Sequence, residues 1–328
     1  MRTIDNSLPT ANQITATPIS KTYTGFALVV TVETKETREG AAYLQLLLGD
    51  RSGQVAGVLW DMKDQDVEGI EVGSLVKVRG VMGEWQGKKQ LRIQKIRLSQ
   101  STDDLDASDF VKSAPESGES MLAYVHTVVD QVVHPQIRTL LKRILGERQE
   151  DLLIAPAATR NHHAVRCGLL YHITTMLRAG LALLEVYPFL NKDLVIAGVV
   201  LHDLAKLDEL VVNPLGMASE YSREGTLLGH LVMGVMDIDR LGREIGLDRE
   251  MALLLEHMVL SHHYEPEFGS PTRPAFPEAE LLHFLDILDA RLYDMKQLID
   301  TVDPGSFSDR IWRLDNRKVY RPKETRPG

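Results

Sequence analysis

The chain is poor in cysteine, in aromatic residues and in long apolar runs. Cys167 is the sole cysteine among 328 residues, so no internal disulfide can form and a reducing cytoplasm is the expected setting. The most apolar run, Leu194 to Leu201, is eight residues long, against the roughly 20 needed to cross a bilayer. No membrane partner is expected. The opening MRTIDNSLPT lacks the apolar stretch of a secretory signal. Aromatic residues make up 6%, so any surface tryptophan or tyrosine merits attention. Histidine is absent before His126, and all eleven histidines fall in the rest of the chain.

Charge is as uneven as histidine. The net charge is −9, yet residues 1–98 carry 13 Lys/Arg and 11 Asp/Glu. Within residues 77–97, seven basic residues (Lys77, Arg79, Lys88, Lys89, Arg92, Lys95, Arg97) face Glu84 alone. A basic stripe on an acidic protein suits a phosphate-backbone track, and equally a solvated strand face.

At this length two domains are the first expectation. Residues 26–33, 43–48, 54–60, 73–80 and 89–96 read as β-branched or alternating strands separated by Gly- and Asp-marked turns. Five strands in about 80 residues suit a small OB-like β-barrel. Residues 1–98 are taken as this domain. Residues 99–120, polar and acidic, read as a linker with one short helix. From Met121 the apolar period is helical, with helices expected near 163–186, 193–208, 224–245, 248–262 and 277–301. Asn191 or Asp193 is a candidate N-cap for the second of these and Asp248 for the fourth. Residues 121–301 are expected to form an all-α domain. Residues 302–328, with three prolines, read as an irregular C-terminal extension.

The chemistry gathers at Leu201-His202-Asp203-Leu204-Ala205-Lys206. A His-Asp pair alone means little. Its companions change that: His172 lies upstream on its own helix, and His230, His262-His263 and Asp286 follow on three more. Such groups converge only in a helical bundle with metal at its centre. Imidazole ligands suit Mn, Co, Fe or Zn better than Mg.

The order H…HD…H…HH…D resembles the two-metal HD superfamily of phosphohydrolases. The surrounding words are more specific. Asn161-His-His-Ala164, Leu169-Leu-Tyr-His172, Val200-Leu-His-Asp-Leu-Ala-Lys206, Glu224-Gly-Thr-Leu-Leu-Gly-His230, Leu260-Ser-His-His263, Phe268-Gly-Ser-Pro271, 282–290 and Leu314-Asp-Asn-Arg317 resemble YhaM-type 3′–5′ exoribonucleases. The resemblance runs over nearly the whole chain beyond the first ~20 residues. It implies an N-terminal OB-type domain and an HD domain that cuts single-stranded RNA to nucleoside 5′-monophosphates; single-stranded DNA is a second candidate partner. It further implies two divalent ions, Mn first. His172, His202, Asp203 and Asp286 would hold one, and Asp203 would bridge to another on His230, His262 and His263. Lys206 would join Asp203 as a catalytic residue, contacting the scissile phosphate. Tyr264 departs from the pattern, since a glycine is expected after the paired histidines.

Asp289 is expected to support the ligands rather than join them, and His283 to pack. His162 and His163 are candidate RNA contacts. In the barrel, Tyr43, Trp60 and Trp85 are candidates for base stacking; Tyr43, Trp85, Lys88, Lys89 and Arg92 are the expected nucleic-acid surface, while Trp60, at the end of an apolar strand, is assigned to the core. His126, His134 and His257 read as structural. Two rival functions keep the same residues: an HD phosphodiesterase acting on a small nucleotide, and a non-catalytic nucleic-acid-binding protein with a structural metal. A structural site is normally closed with four ligands, which a seven-residue set exceeds. The apolar helices allow a homo-oligomer.

Overall fold

The structure is a computed structural model that describes residues 13–323, apart from 38, 51, 63–66, 104, 106–108, 160–162 and 214. Asn161 and His162 lie outside the described residues. The chain divides into two compact units between Ser113 and Ala114.

In the first unit, β1 (Thr22–Glu36), β2 (Ala42–Asp50), β3 (Gly53–Leu59), β4 (Leu75–Trp85) and β5 (Lys88–Leu98) close a barrel in the order β1-β2-β3-β5-β4. Every pairing is antiparallel except β3 with β5. This is the five-stranded OB topology. Its interior holds Leu44, Leu46, Leu48, Val76, Val78, Met82, Leu91 and Ile93. Their spacing of two along each strand is the signature of a closed sheet with one filled face. The stretch after the barrel carries a 3-10 turn, Ser101–Asp103, pinned by a bidentate Arg97–Asp103 pair at 2.8 Å.

The second unit is helical. Its helices are α1 (Gly118–Val129), α2 (Pro135–Glu147), α3 (Gln149–Leu152), α4 (Gly168–Val186), α5 (Lys192–Leu201), α6 (Lys206–Glu209), α7 (Arg223–Ile245), α8 (Arg249–Ser261) and α9 (Pro277–Ile299). Start signals act as the sequence suggests: Asn191 caps α5 and Asp248 caps α8 through their side chains. Among the described residues, α4 alone is long and apolar enough to cross a membrane. Here its face of Leu169, Leu170, Ile173, Met176 and Leu177 fills the core instead.

Two features depart from the expected helices. The stretch 193–208 does not run as one helix; α5 stops at Leu201 and residues 202–205 form turns. A two-stranded hairpin, β6 (Leu210–Val212) with β7 (Ala218–Tyr221), interrupts the helical unit. It is too short to leave a period in the sequence. Residues 302–323 carry bridges Phe307–Tyr320 and Ile311–Arg317 around a 3-10 turn. Leu314 is buried there, and Asp315 pairs with Arg291 of α9.

Close packing sets the site. A Cβ at Gly198 of α5 would lie 2.3 Å from Met258 Cε of α8. That atom is the tip of a flexible side chain lying over Gly198, where α5 approaches α8 closely. The approach sets the C-terminal end of α5, with His202, against that of α8, with His262.

Candidate metal centre and nucleic-acid face

Five helical elements deliver the charged cluster. His172 sits mid-α4, His202 and Asp203 follow α5, His230 lies in α7, His262 and His263 follow α8, and Asp286 lies in α9. The structure brings all seven together, within reach of common metal positions. His202, His172 and Asp203 form one potential ligand group. Asp203, His230, His262 and His263 form another, and His202, His262 and Asp286 a third.

Asp203 is at the middle. Its Oδ2 is 3.4 Å from His202 Nε2 and 3.8 Å from His172 Nε2, whereas its Oδ1 is 3.4 Å from His230 Nε2 and 3.7 Å from His262 Nε2. Asp286 Oδ1 lies 3.2 Å from His172 Nε2. Asp203 Oδ1, His230 Nε2 and His262 Nε2 are buried without a hydrogen-bond partner. Buried polar atoms are almost always paired. Three orphans facing one point, all of them lone-pair donors, fit a divalent cation.

The histidines are aimed from behind. Nδ1 of His202 donates to Val199 O at 2.9 Å, that of His262 to Val259 O at 2.7 Å and that of His263 to Phe268 O at 2.7 Å. His172 Nδ1 meets Asp289 Oδ2 at 2.7 Å. His230 Nδ1 lies 3.0 and 3.1 Å from the two oxygens of Glu209. With the proton held on Nδ1, each ring offers Nε2 as the ligand atom.

Electrostatics agree with geometry. Burial pushes His262 down to about 3, leaving it neutral and ready to bind metal. Burial also opposes ionisation of Asp203, but Lys206 and His202 hold its carboxyl well below the usual range. His172 is the exception. Burial disfavours its cation, yet Asp286 and Asp289 outweigh this and push it up to about 10.

Lys206 Nζ donates to Asp203 Oδ2 at 2.7 Å. The turn between them bonds in the 3-10 manner, Lys206 N to Asp203 O at 2.9 Å. Residues three apart in such a turn eclipse one another, so the ammonium is carried over the carboxylate.

Asp289 Oδ2, which meets His172 Nδ1, also accepts from His163 Nε2 at 2.7 Å. His163 is only 1% exposed and lies 3.9 Å, ring centre to ring centre, from Tyr293. The expectation that His163 meets RNA is therefore corrected: a ring so enclosed has no face left for a base. His283 donates to His262 O, which makes it a packed residue. His134 caps α2 and His257 accepts from Ala275 N. Tyr264 takes the left-handed conformation (φ 68°) that a glycine would fill. Its ring lies 4.6 Å from that of His283.

On the barrel, Tyr43, Gln45, Trp60, Trp85, Lys88 and Gln90 line a cavity of about 420 Å³. Trp60 is 52% and Trp85 64% exposed. The assignment of Trp60 to the core is corrected. Cross-strand register runs Gln45 to Val58 to Arg92, so Trp60 falls opposite Tyr43, and the two rings are 4.7 Å apart. Arg92 belongs to the same outward face. Lys89 borders the cavity, but its ammonium donates to Thr15 O at 2.7 Å and Thr17 O at 2.9 Å. Those neutral carbonyls hold the ammonium toward Thr15 and Thr17 and leave its charge in place.

Sequence reading missed Glu209 and placed Trp60, a stacking candidate, in the core. The signal for the tryptophan was the alternation that sets Tyr43 and Gln45 on one face of β2 and Val58 and Trp60 on the matching face of the next strand. Glu209 left none, because it lies just past the expected helix 193–208 as one more charged residue beside Asp208.

Known proteins share both halves. An OB-fold nucleic acid binding domain family matches residues 26–99, and the HD domain family matches residues 169–291. A protein named 3′–5′ exoribonuclease YhaM from Oceanobacillus iheyensis is 38% identical over 95% of this chain and 97% of its own length. Relatives of the same name from Shouchella clausii (37% identical, over 91% of this chain and 92% of the relative) and a Geobacillus species (38%, over 90% and 91%) align similarly. With that identity sustained across the barrel and the helical unit alike, the chain belongs to the YhaM family of 3′–5′ exoribonucleases.

Proposed function

We infer that this chain is a metal-dependent 3′–5′ exoribonuclease that shortens single-stranded RNA and releases nucleoside 5′-monophosphates. The observation that carries the reading is the set of orphaned atoms, Asp203 Oδ1, His230 Nε2 and His262 Nε2, around a carboxylate whose other oxygen faces His172 and His202.

His172, His202, Asp203 and Asp286 would hold one ion and Asp203, His230, His262 and His263 the other. Divalent ions here would lower the pKa of an attacking water and neutralise charge growing on the phosphate. The chain's own residues do the positioning. Nδ1 anchors keep each ring in the ligating tautomer. Lys206, held beside the cluster by Asp203, is placed to meet a non-bridging or leaving oxygen of the scissile phosphate. Asp203, shared by both halves, keeps them in register.

The barrel face supports a polymeric substrate over a small nucleotide. Two exposed tryptophans and a tyrosine offer π-faces to unpaired bases, a sequence-tolerant way to hold single strands. Lys88 and Arg92 supply the adjacent positive charge. A duplex hides its base faces, so single strands are the expected ligand; single-stranded DNA satisfies the same chemistry and belongs in the assay. Manganese is the first choice of ion, given the mixed imidazole and carboxylate donors. The exposed apolar residues Leu227 and Met236 of α7 and Leu288 and Leu292 of α9 support self-association. The buried thiol of Cys167, donating to Leu153 O, suits a reducing cytoplasm.

Incubation of 5′-labelled single-stranded RNA with the protein and Mn²⁺ tests the reading. A ladder of progressively shorter labelled products is expected, lost with Asp203→Ala. Absence of shortening by the wild type, or undiminished shortening by the variant, overturns it.

A further inference from the structure

Glu209 is a buried carboxylate beside the cluster that belongs to none of the ligand groups. We propose that Glu209 is a positioning residue which fixes His230 and so sets occupancy of the ion held by Asp203, His230, His262 and His263. The proposal rests on the reading of this cluster as a metal centre.

Helix α7 is broken at Gly229, where φ is 70° and ψ 158°. The break takes the His230 N–H out of the helical ladder, and that N–H donates to Glu209 Oε1 at 3.0 Å. The same carboxylate lies 3.0 and 3.1 Å from His230 Nδ1. A carboxylate only accepts, so the ring proton is on Nδ1 and the Nε2 lone pair is directed at Asp203. One side chain thus fixes both the backbone and the ring of a ligand.

Glu209 is itself clamped. Its carbonyl accepts from Ser222 N at 2.8 Å, and a Cβ on Gly225 would fall 2.4 Å from that carbonyl oxygen. The first turn of α7 therefore packs on Glu209, while the break in α7 returns His230 to its carboxylate. The arrangement parallels Asp289 behind His172, on the other side of Asp203. His202, His262 and His263 have neutral carbonyls behind them instead. An anionic acceptor makes an imidazole a more basic ligand than a carbonyl does, and losing such support typically costs about 10- to 100-fold in metal affinity.

Mn²⁺ titration calorimetry of full-length wild type and Glu209→Gln, beside thermal melts of both metal-free proteins, tests this. Two bound ions are expected for the wild type. In the variant, one affinity should fall about 10- to 100-fold, with the other affinity and the metal-free melt unchanged. Wild-type affinities for both ions in the variant overturn the proposal. So does an equal fall at both sites together with a lowered melt, which means a merely structural role. Failure of the wild type to bind any Mn²⁺ overturns the metal-centre reading itself, a separable result. If the variant does not fold, the ¹⁵N NMR signals of His230 in metal-free wild type decide. A protonated Nδ1 is expected, and a proton on Nε2 overturns the assignment.

Discussion

Lys206 is bonded to one oxygen of Asp203 and not the other: Nζ lies 2.7 Å from Oδ2, while Oδ1 has no hydrogen-bond partner. The central carboxylate thus meets the ammonium on the His172 side alone. Truncation as Lys206→Ala should leave metal content intact, because it removes a competing cation rather than a ligand. Turnover of labelled RNA should fall on the order of 10²-fold, the usual cost of losing one donor to a charged transition state. Metal analysis beside single-turnover kinetics separates the two effects. An unchanged rate would make the lysine a mere counter-ion.

Asp289 joins His163 and His172 through one oxygen. Asp289→Asn should weaken Mn²⁺ binding about 10- to 100-fold, and His163→Gln should weaken it less. Because both variants act through the same oxygen, the double variant should cost less than the product of the two. Full additivity in calorimetry would separate His163 from the metal centre.

Trp60→Ala and Trp85→Ala should each weaken binding of a short RNA by about 1–3 kcal/mol, measured by fluorescence anisotropy in the Asp203→Ala background. Hydrolysis of a small chromogenic phosphodiester by the same tryptophan variants of the active protein should be unchanged. Lys88→Ala should flatten the salt dependence by about 0.7 in log–log slope. Lys89→Ala should flatten it less, since that ammonium is engaged by Thr15 and Thr17. Equal slopes for the two lysine variants would contradict the arrangement.

Loading the centre should release protons. With metal absent, His172 is pushed up to about 10 by Asp286 and Asp289 against the opposing effect of burial, so its ring is charged at neutral pH. A metal needs it neutral. Apparent affinity should therefore rise with pH, by up to about tenfold per unit for one proton, and level off above the shifted value. Calorimetry in buffers of different ionisation enthalpy counts the protons; a pH-independent affinity would refute the shift.

Gly229→Ala tests the break in α7. The nearest atom to a new Cβ is Glu209 Oε1 at 3.8 Å, so space is no obstacle. The backbone angles are the difficulty, and they should cost about 1–3 kcal/mol in denaturant unfolding, with His230 turned from its place. A neutral substitution would show that the helix can run straight there.

The His/Asp cluster was legible because such residues are rare on apolar helices. Histidine and aspartate at H…HD…H…HH…D stand out against apolar helices, and the barrel strands show a period of two. What holds the ligands was not legible. Val199, Val259 and Phe268 act through carbonyl oxygens, which every residue has. Glu209 sits in a polar one-turn helix that looks solvated until α7 folds over it. Trp60 was misread because Val55, Val58 and Leu59 are all buried, so strict alternation fails just where its facing had to be judged. His163 precedes an obvious ligand on the chain, yet its side chain turns inward.

The division between main-chain and side-chain anchors bears on how this enzyme can change. His202, His262 and His263 are aimed by the path of the backbone, so substitution at Val199, Val259 or Phe268 leaves their orientation standing as long as the helices and loop keep their course. His172 and His230 are aimed by Asp289 and Glu209, each replaceable by a single codon change. Adaptation of the centre to a different ion therefore has two adjustable points, one on either side of Asp203, set within a frame that point mutation scarcely reaches.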